Sequence, residues 1–397
     1  MAEPWLSIIG LGEDGPAGLT EASRAALAEA EIVFGGPRHL ALVGAGARGQ
    51  EWPVPFSLAP VLAARGRRVA VLASGDPFWH GAGGSLMAAL QPGEWQSFPV
   101  PSSFALAANR LGWRLEEVAC HGLHAAPFER LLRQMGRGQR LICTLRDGAA
   151  AADLVQWLVA QGAGDARLWL LERLGGPGER IRCTTVGGFD LSAIEVPVIA
   201  AVEIATPGGL PLTPGLPDES FAHDGQITKQ PVRALTLCAL APRKGALLWD
   251  LGAGSGSISV EWCLQGGRAM AVEARADRAA TIAENIARFG LQDRMQVIAA
   301  RIEGGALPDA LRDTRPDAVF IGGGADAALV QMLFDTMPAG TRLVMNAVTL
   351  ETEALVLDAQ ARHGGALMRI ELARAVPLGG MRGWTPARPL VQWSVVL

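Results

Sequence analysis

The residues DLGAGSGSISVEW, Asp250 to Trp262, follow an apolar run (Ala246 to Trp249) and put glycines at alternate positions, Gly252, Gly254 and Gly256. The next acidic residue at an expected strand end is Glu273, in AMAVEA. Glycines let a backbone pass close to a bound molecule, and ligands of parallel α/β sheets collect at the carboxyl ends of the strands. A carboxylate such as Glu273 can accept hydrogen bonds from both hydroxyls of a ribose. A dinucleotide fingerprint needs G-x-G-x-x-G, and its third glycine is replaced by Ser257 in one frame and Ser259 in the other. The nicotinamide reading therefore fails, and D-x-G-x-G-x-G is what stands. Taken alone, these residues also suit a tight strand-to-helix turn with a surface glutamate.

A second glycine-rich system occupies the first half. GLGEDGPAGLT (Gly10 to Thr20) follows one apolar run and ASGDPFWHGAG (Ala73 to Gly83) follows a later one. Asp-Pro with Gly is by itself only a turn signal. Here it comes with FGGPRHL (Phe34 to Leu40), VPSSFALAANRLGW (Val100 to Trp113) and LERLGGPGERI (Leu171 to Ile181).

These segments need elements to hold them. Before Thr206, near-continuous apolar runs alternate with helical patterns, which predicts α/β lobes built on parallel sheets, divided near residues 112–121. ERLGGPGERIRCTT interrupts that alternation as a hairpin-like excursion. TPGGLPLTPGLPDESF, Thr206 to Phe221, cannot sustain a helix or a central strand, so residues 206–220 are expected to form a linker between domains at 1–205 and 221–397. Beyond it, strands are expected at ALLWDL, RAMAVEA, MQVIAAR, DAVFIGG, RLVMNAV, LMRIELAR and VQWSVVL, the last two as an antiparallel pair at a sheet edge.

Composition bounds the options. A chain of 397 residues with 49% hydrophobic and 19% charged residues has core for two or three domains. The net charge of −4 argues against nucleic acid or an anionic membrane as the main partner. Five scattered cysteines without a CxxC spacing suit a reducing, cytoplasmic setting, and no apolar run approaches the roughly 18–20 residues of a membrane span. His121 and His124 in HGLH lack Cys or carboxylate partners at ligand spacing, so no metal is expected.

The first-half motifs resemble the tetrapyrrole methylase family, in the branch that methylates late corrin precursors. GLPDESF, DGQITKQPVRA, DLGAGSGSISVE, ENIARFG, DAVFIGGG and NAVTLET resemble the decarboxylating corrin methyltransferase domain. The resemblance implies a two-lobed tetrapyrrole-methylase (class III) fold followed by a Rossmann-like class I methyltransferase fold. It implies one S-adenosylmethionine (SAM) per domain. In the first, Ser74, Gly75, Asp76, Pro77, Trp79, Ser102, Ser103, Leu145 and Gly176 would line the cofactor. In the second, Thr228, Gly252, Ala253, Gly254, Ser255, Gly256, Glu273 and Ala306 would do so. GLGEDG lacks the Pro-Gly-Asp of the wider family, and GGALPD departs from Gly-x-Ala-Pro-Glu by an inserted Leu307 and by Asp309.

The implied reaction is methylation of a tetrapyrrole at C5 and C15 with loss of the C12 acetate carboxyl as carbon dioxide, in a homo-oligomer. Such chemistry needs positioning more than acid–base groups. Asn346 and Glu351 are candidates to orient substrate or handle a proton, although helix capping also accounts for NAVTLET. His80 is a candidate to meet substrate. Substrate carboxylates would call for arginines, and the clusters are Arg65/Arg67/Arg68, Arg110/Arg114 and Arg374/Arg382/Arg388. A methyltransferase of RNA or protein with an N-terminal recognition module, and a pigment carrier without turnover, are the competing readings.

Overall fold

The computed structural model describes residues 4–79 and 81–397. It divides into two compact units, Met1–Gly209 and Leu210–Leu397.

The first unit carries two five-stranded sheets. Strands β1 (Leu6–Leu11), β2 (Ile32–Gly35), β3 (Gly49–Glu51), β4 (Val69–Ser74) and β5 (Trp95–Phe98) run parallel in the order β3-β2-β4-β1-β5. Separate apolar clusters cover the two faces, one holding Leu6, Ile8 and Val71, the other Ile9, Leu11 and Leu72. That alternation is what the period of two along a strand buried on both faces produces. Helix Ser103–Leu111 follows, capped at its start by Ser102 and ended by Gly112 in the left-handed region.

The second sheet holds β6 (Val118–Gly122), β7 (Arg140–Leu145), β8 (Arg167–Glu172), β9 (Arg180–Thr185) and β10 (Val198–Glu203), in the order β6-β7-β10-β8-β9. Only β6 and β7 pair in parallel; β10 is antiparallel to both β7 and β8, and β8–β9 is a hairpin. This differs from the parallel lobe expected from the sequence. No helix lies between β8 and β9, and neighbouring strands joined without a helical crossover pair antiparallel, whereas β10 does not pair with β9 and instead enters between β7 and β8. Along β10, Val198, Ala200 and Val202 enter one core while Ile199 and Ala201 enter the other.

The second unit is one seven-stranded sheet. Its strands are β11 (Leu247–Leu251), β12 (Arg268–Glu273), β13 (Met295–Ala299), β14 (Ala318–Ile321), β15 (Arg342–Ala347), β16 (Ala366–Ile370) and β19 (Leu390–Val396). The order is β13-β12-β11-β14-β15-β19-β16, with β19 antiparallel to both neighbours. The two closing strands thus pair as the sequence suggested, but β19 lies inside the sheet. A separate hairpin between them, β17 (Ala373–Leu378) with β18 (Met381–Pro386), was not foreseen, because its residues lack a buried face and so give no alternation of apolar positions.

The stretch expected to be a linker belongs to the second unit from Leu210 onward. Leu216 and Phe221 are buried in the same core as Leu237, Leu248 and Trp262. Fully buried Arg233 holds this entry segment in place. Its Nε donates to Glu261 Oε1 at 2.5 Å, and its Nη1 donates to the Thr228 carbonyl at 2.5 Å and to Asp218 Oδ1 at 3.2 Å. The Glu261 carboxylate also accepts from the backbone N–H groups of Gly215 (2.5 Å) and Leu216 (2.9 Å). A buried charge pair persists only when its remaining lone pairs and protons are satisfied, and this one is.

Candidate functional sites

In the second unit a cavity of about 890 Å³ opens along the carboxyl ends of the parallel strands. That volume lies in the range of small-molecule sites. Thr228, Gly252, Ala253, Gly254, Ser255 and Glu273 line it, so six of the expected cofactor residues come together. Gly252 has a φ of +71°, and a Cβ there would lie 2.4 Å from the Gly323 carbonyl oxygen. Only glycine lets the loops after β11 and β14 pass at that distance. Gly254 has open space on its Cβ side.

Glu273 is almost fully buried at the end of β12. One carboxylate oxygen accepts the Gly254 N–H at 2.9 Å and the other accepts the Arg275 N–H at 3.0 Å. Each oxygen keeps a lone pair for a ribose hydroxyl. Below it, Asp250 is fully buried, with Ser259 Oγ donating to Oδ2 at 2.6 Å and Oδ1 unpartnered. Burial pushes the Asp250 carboxyl up to about 7, with the nearby Glu273 charge adding to the rise. These residues fit SAM: a glycine loop for close approach, a carboxylate at ribose position and a cavity of adequate size.

Three expected residues stand elsewhere. Gly256 caps helix Ser257–Leu264, packs against Ile282 and Met295, and is not among the lining residues. Ala306 is exposed in a turn, its N–H donating to the Glu303 carbonyl, while Ala300, Arg301 and Ile302 line the cavity in its place. The rule that sites gather at strand ends finds those residues, since β13 ends at Ala299. Glu351 is exposed in the first turn of helix Leu350–His363, where backbone and Thr349 hydrogen bonds hold its carboxyl below the usual range. It does not line the cavity; Thr349 and Thr352 form the capping box there.

Asn346 does line the cavity. Its Nδ2 donates to Thr236 Oγ1 at 2.9 Å, and its Oδ1 accepts from Gln392 Nε2 at 2.9 Å. Gln392 also donates to Thr236 Oγ1 at 3.0 Å, and the Thr236 hydroxyl donates to the Val232 carbonyl at 2.8 Å. With its only proton committed to Val232, Thr236 can only accept from the two amides. The network therefore fixes Asn346 as a hydrogen-bond donor with one N–H to spare, and leaves it no role as a base.

Most of the arginines flagged for substrate carboxylates are held by the protein's own carboxylates. Arg65 pairs with Glu94, Arg67 with Glu31 and Arg68 with Glu29, while Arg110 pairs with Glu179 and Arg114 with Glu116 and Glu117. Arg374 and Arg382 stand on opposite faces of the β17–β18 hairpin, given the register that pairs Arg374 with Thr385 and Arg382 with Pro377. Arg388 alone of the flagged arginines lines the cavity.

In the first unit, the loop after β4 meets the start of helix Ser103–Leu111. Gly75 has a φ of +61°, and a Cβ there would be 2.7 Å from Ser102 Cα. Asp76 Oδ1 accepts the Phe78 N–H at 2.9 Å, Pro77 is buried behind it, and the Trp79 ring stands 6.4 Å from Phe104. Ser102 Oγ is engaged as the helix cap, accepting the Ala105 N–H at 3.1 Å, and Ser103 opens the helix. Gly176 lies against the GLGEDG loop, where a Cβ would be 2.6 Å from Glu13 Cβ. Leu145 is buried in the second-lobe core, opposite Val198, so its side chain is not offered to a ligand. His80 lies outside the described residues.

No residue of FGGPRHL was singled out from the sequence, yet its Arg38 and His39 sit at this place. Arg38 Nη2 donates to Ser74 Oγ at 3.1 Å, His39 Nε2 is 2.9 Å from the same oxygen, and Arg38 forms an ion pair with Glu13. Burial, helped by Arg38, pushes His39 down to about 4, so its imidazole is neutral at pH 7. His121 and His124 of HGLH contact Gln134 Oε1 (3.1 Å) and Thr144 Oγ1 (3.2 Å). Among the described residues no helix is long and apolar enough to cross a membrane.

Comparison with known proteins agrees with this division. A family model described as tetrapyrrole (corrin/porphyrin) methylases matches residues 6–190, and one described as a precorrin methyltransferase domain matches residues 219–397. A Sinorhizobium protein named precorrin-6Y C(5,15)-methyltransferase [decarboxylating] is 44% identical over 99% of this chain and 97% of its own. A Mycobacterium tuberculosis protein of the same name is 39% identical over 98% of both. A Pyrobaculum aerophilum protein named "Probable cobalt-precorrin-6B C(15)-methyltransferase (decarboxylating)" is 34% identical over 45% of this chain and 93% of its own. Two domain models in this order, with near full-length identity, establish that the chain belongs to the precorrin-6Y C(5,15)-methyltransferase (decarboxylating) family, SAM-dependent enzymes of cobalamin biosynthesis.

Proposed function

We propose that this chain methylates precorrin-6Y at C5 and C15 and releases the C12 acetate carboxyl as carbon dioxide, giving precorrin-8X. The observation that carries the reading is the full-length similarity to relatives named for that reaction. The first unit methylates C5, and the second methylates C15 and decarboxylates, each with its own SAM. The Pyrobaculum relative supports this division, since it matches 45% of this chain and its name covers only C15 and decarboxylation. Two separate glycine-loop systems, at Gly75 and at Gly252, support the count of two cofactors.

Bound SAM supplies an electrophilic sulfonium methyl. Glu273 and the Gly252–Ser255 loop hold its nucleoside and methionine portions in the second unit. Ser74 to Pro77, Trp79, Ser102, Ser103 and Gly176 hold the other molecule, with Leu145 contributing backbone only. When the bond between the acetate carboxyl and its methylene breaks, its electron pair enters the conjugated macrocycle and makes C15 nucleophilic. The protein's task is to fix the approach and exclude water. The fixed Asn346 donor orients substrate instead of moving a proton.

The enzyme acts in the cytoplasm on a tetrapyrrole, without nucleic acid or membrane. It is a homo-oligomer, which the exposed apolar residues of the β17–β18 hairpin support: Leu378 is 69% exposed, Met381 79% and Trp384 76%. The test uses the full chain with one site disabled at a time, reading product mass. Gly252→Val should leave a singly methylated product that keeps its acetate. Gly75→Val should leave a singly methylated, decarboxylated one. Two methyl groups added by either variant would overturn the division.

A further inference from the structure

The cavity of the second unit has two chemically distinct ends. Glu273 and Gly254 mark one, over β12 and β11. At the other, Ile370 ends β16 and Leu390 begins the antiparallel β19, paired in register. From β12 to β19 is four strand spacings, about 19 Å at ~4.8 Å each. A cofactor anchored on Glu273 thus leaves the far end for substrate.

That far end carries one cation without a carboxylate. Of the three arginines lining the cavity, Arg278 is held by Asp224 at 3.0 Å and Arg301 stands 3.5 Å from Glu303. Lys229 stands 3.4 Å from Asp218. Arg388 has no ion pair or side-chain hydrogen bond among the described residues. Its backbone is nonetheless fixed. The Ala387 N–H donates to the Leu372 carbonyl at 2.8 Å, prolines 386 and 389 flank the position, and β19 begins at Leu390. Four aliphatic side chains, Val348, Ile370, Leu372 and Leu390, line the cavity with it, the last three packed together with Val232.

Resting on the proposed reaction, we infer that Arg388 is the specificity-determining residue of the decarboxylating site, binding a substrate carboxylate that the product retains and directing the departing carboxylate to the apolar wall. A guanidinium on the departing carboxylate would stabilise the ground state more than the transition state, where charge has moved into the macrocycle, and would slow its loss. An apolar wall does the opposite, because it withdraws water from the carboxylate before the bond breaks. One exposed cation beside a wall of four aliphatic side chains sorts two carboxylates by these opposite requirements.

The test measures carbon dioxide release by the full-length enzyme against precorrin-6Y concentration, for the unaltered chain, Arg388→Ala and Arg388→Lys. Arg388→Ala should raise KM for precorrin-6Y roughly ten- to hundredfold, with kcat within a few-fold and KM for SAM unchanged. Arg388→Lys should fall between. Rising ionic strength should raise KM in the unaltered chain and leave it nearly flat in Arg388→Ala, a response that a merely structural role would not give. An unchanged KM in Arg388→Ala would overturn the assignment. So would a rise of tenfold or more in kcat for carbon dioxide release, because Arg388 would then have been holding the departing carboxylate. No turnover of precorrin-6Y by an unaltered chain that binds SAM would overturn the substrate reading instead, and this assignment with it.

Discussion

Gln392 donates to the Asn346 carboxamide oxygen at 2.9 Å across the β15–β19 pair, where the two residues stand directly opposite each other. Both amides also donate to Thr236 Oγ1, so a residue of helix Gln230–Leu240 sets the orientation of a side chain at the cavity. Thr236→Val removes the shared acceptor and leaves the buried Gln392 N–H and the half-buried Asn346 N–H short of a partner. It should cost about 1–3 kcal/mol in urea unfolding and lower kcat for carbon dioxide release while KM for SAM stays constant. Asn346→Asp, which replaces the donor by an acceptor, should lower kcat further.

Glu273 has both carboxylate oxygens tied to loop backbone and directed at the cavity rim. Glu273→Gln keeps the size but loses one acceptor and the charge. KM for SAM in carbon dioxide release should rise roughly ten- to hundredfold, equivalent to about 1.5–3 kcal/mol, while methylation at C5 proceeds as before.

Asp250 gives a pH signature. Its folded pKa is raised from 3.8 to about 7 by burial, so the folded chain holds a proton that the unfolded chain has released. Its contribution to stability therefore falls as pH rises from about 4 to about 7, and the cost is complete above that. Asp250→Asn still accepts from Ser259 but cannot ionise. The variant should be more stable than the parent at pH 8, by up to about 4 kcal/mol, with the difference narrowing towards pH 4 in denaturant titrations.

Gly75→Ala introduces a Cβ 2.7 Å from the Ser102 backbone at a residue with φ of +61°. The loop after β4 must shift, so on the proposed count of one SAM per domain the SAM bound per chain should fall from two to one by calorimetry. Carbon dioxide release, which the proposed division assigns to the second unit, should persist.

Arg233→Met leaves Glu261 charged and buried beneath the entry segment. The variant should lose about 3–5 kcal/mol in urea unfolding, and Arg233→Met with Glu261→Gln should recover part of that loss. A Thr228 carbonyl no longer held by Arg233 should also raise KM for SAM at the second site.

The sequence by itself determined the class of each domain and the glycine loops, because these rest on local requirements. Apolar runs of strand length, a glycine where an added Cβ would come within 2.4 Å of another loop, and an acid at the end of the next strand are written in consecutive residues. It also carried the capping residues Ser102 and Thr349, whose partners lie three positions on. Only tertiary structure decided what depends on residues distant in the chain. The antiparallel placement of β10 rests on its pairing with both β7 and β8, which lie far back in the chain. Arg233 and Glu261 became a buried pair because a Pro/Gly-rich stretch folded over a helix more than thirty residues later. Asn346 was legible as a polar residue at a strand end, but its donor role came from Thr236 and Gln392, 110 and 46 positions away. Most of the flagged arginines found carboxylates of their own, leaving Arg388 unpaired at the cavity rim, and no local pattern marks which charge will be left without a partner.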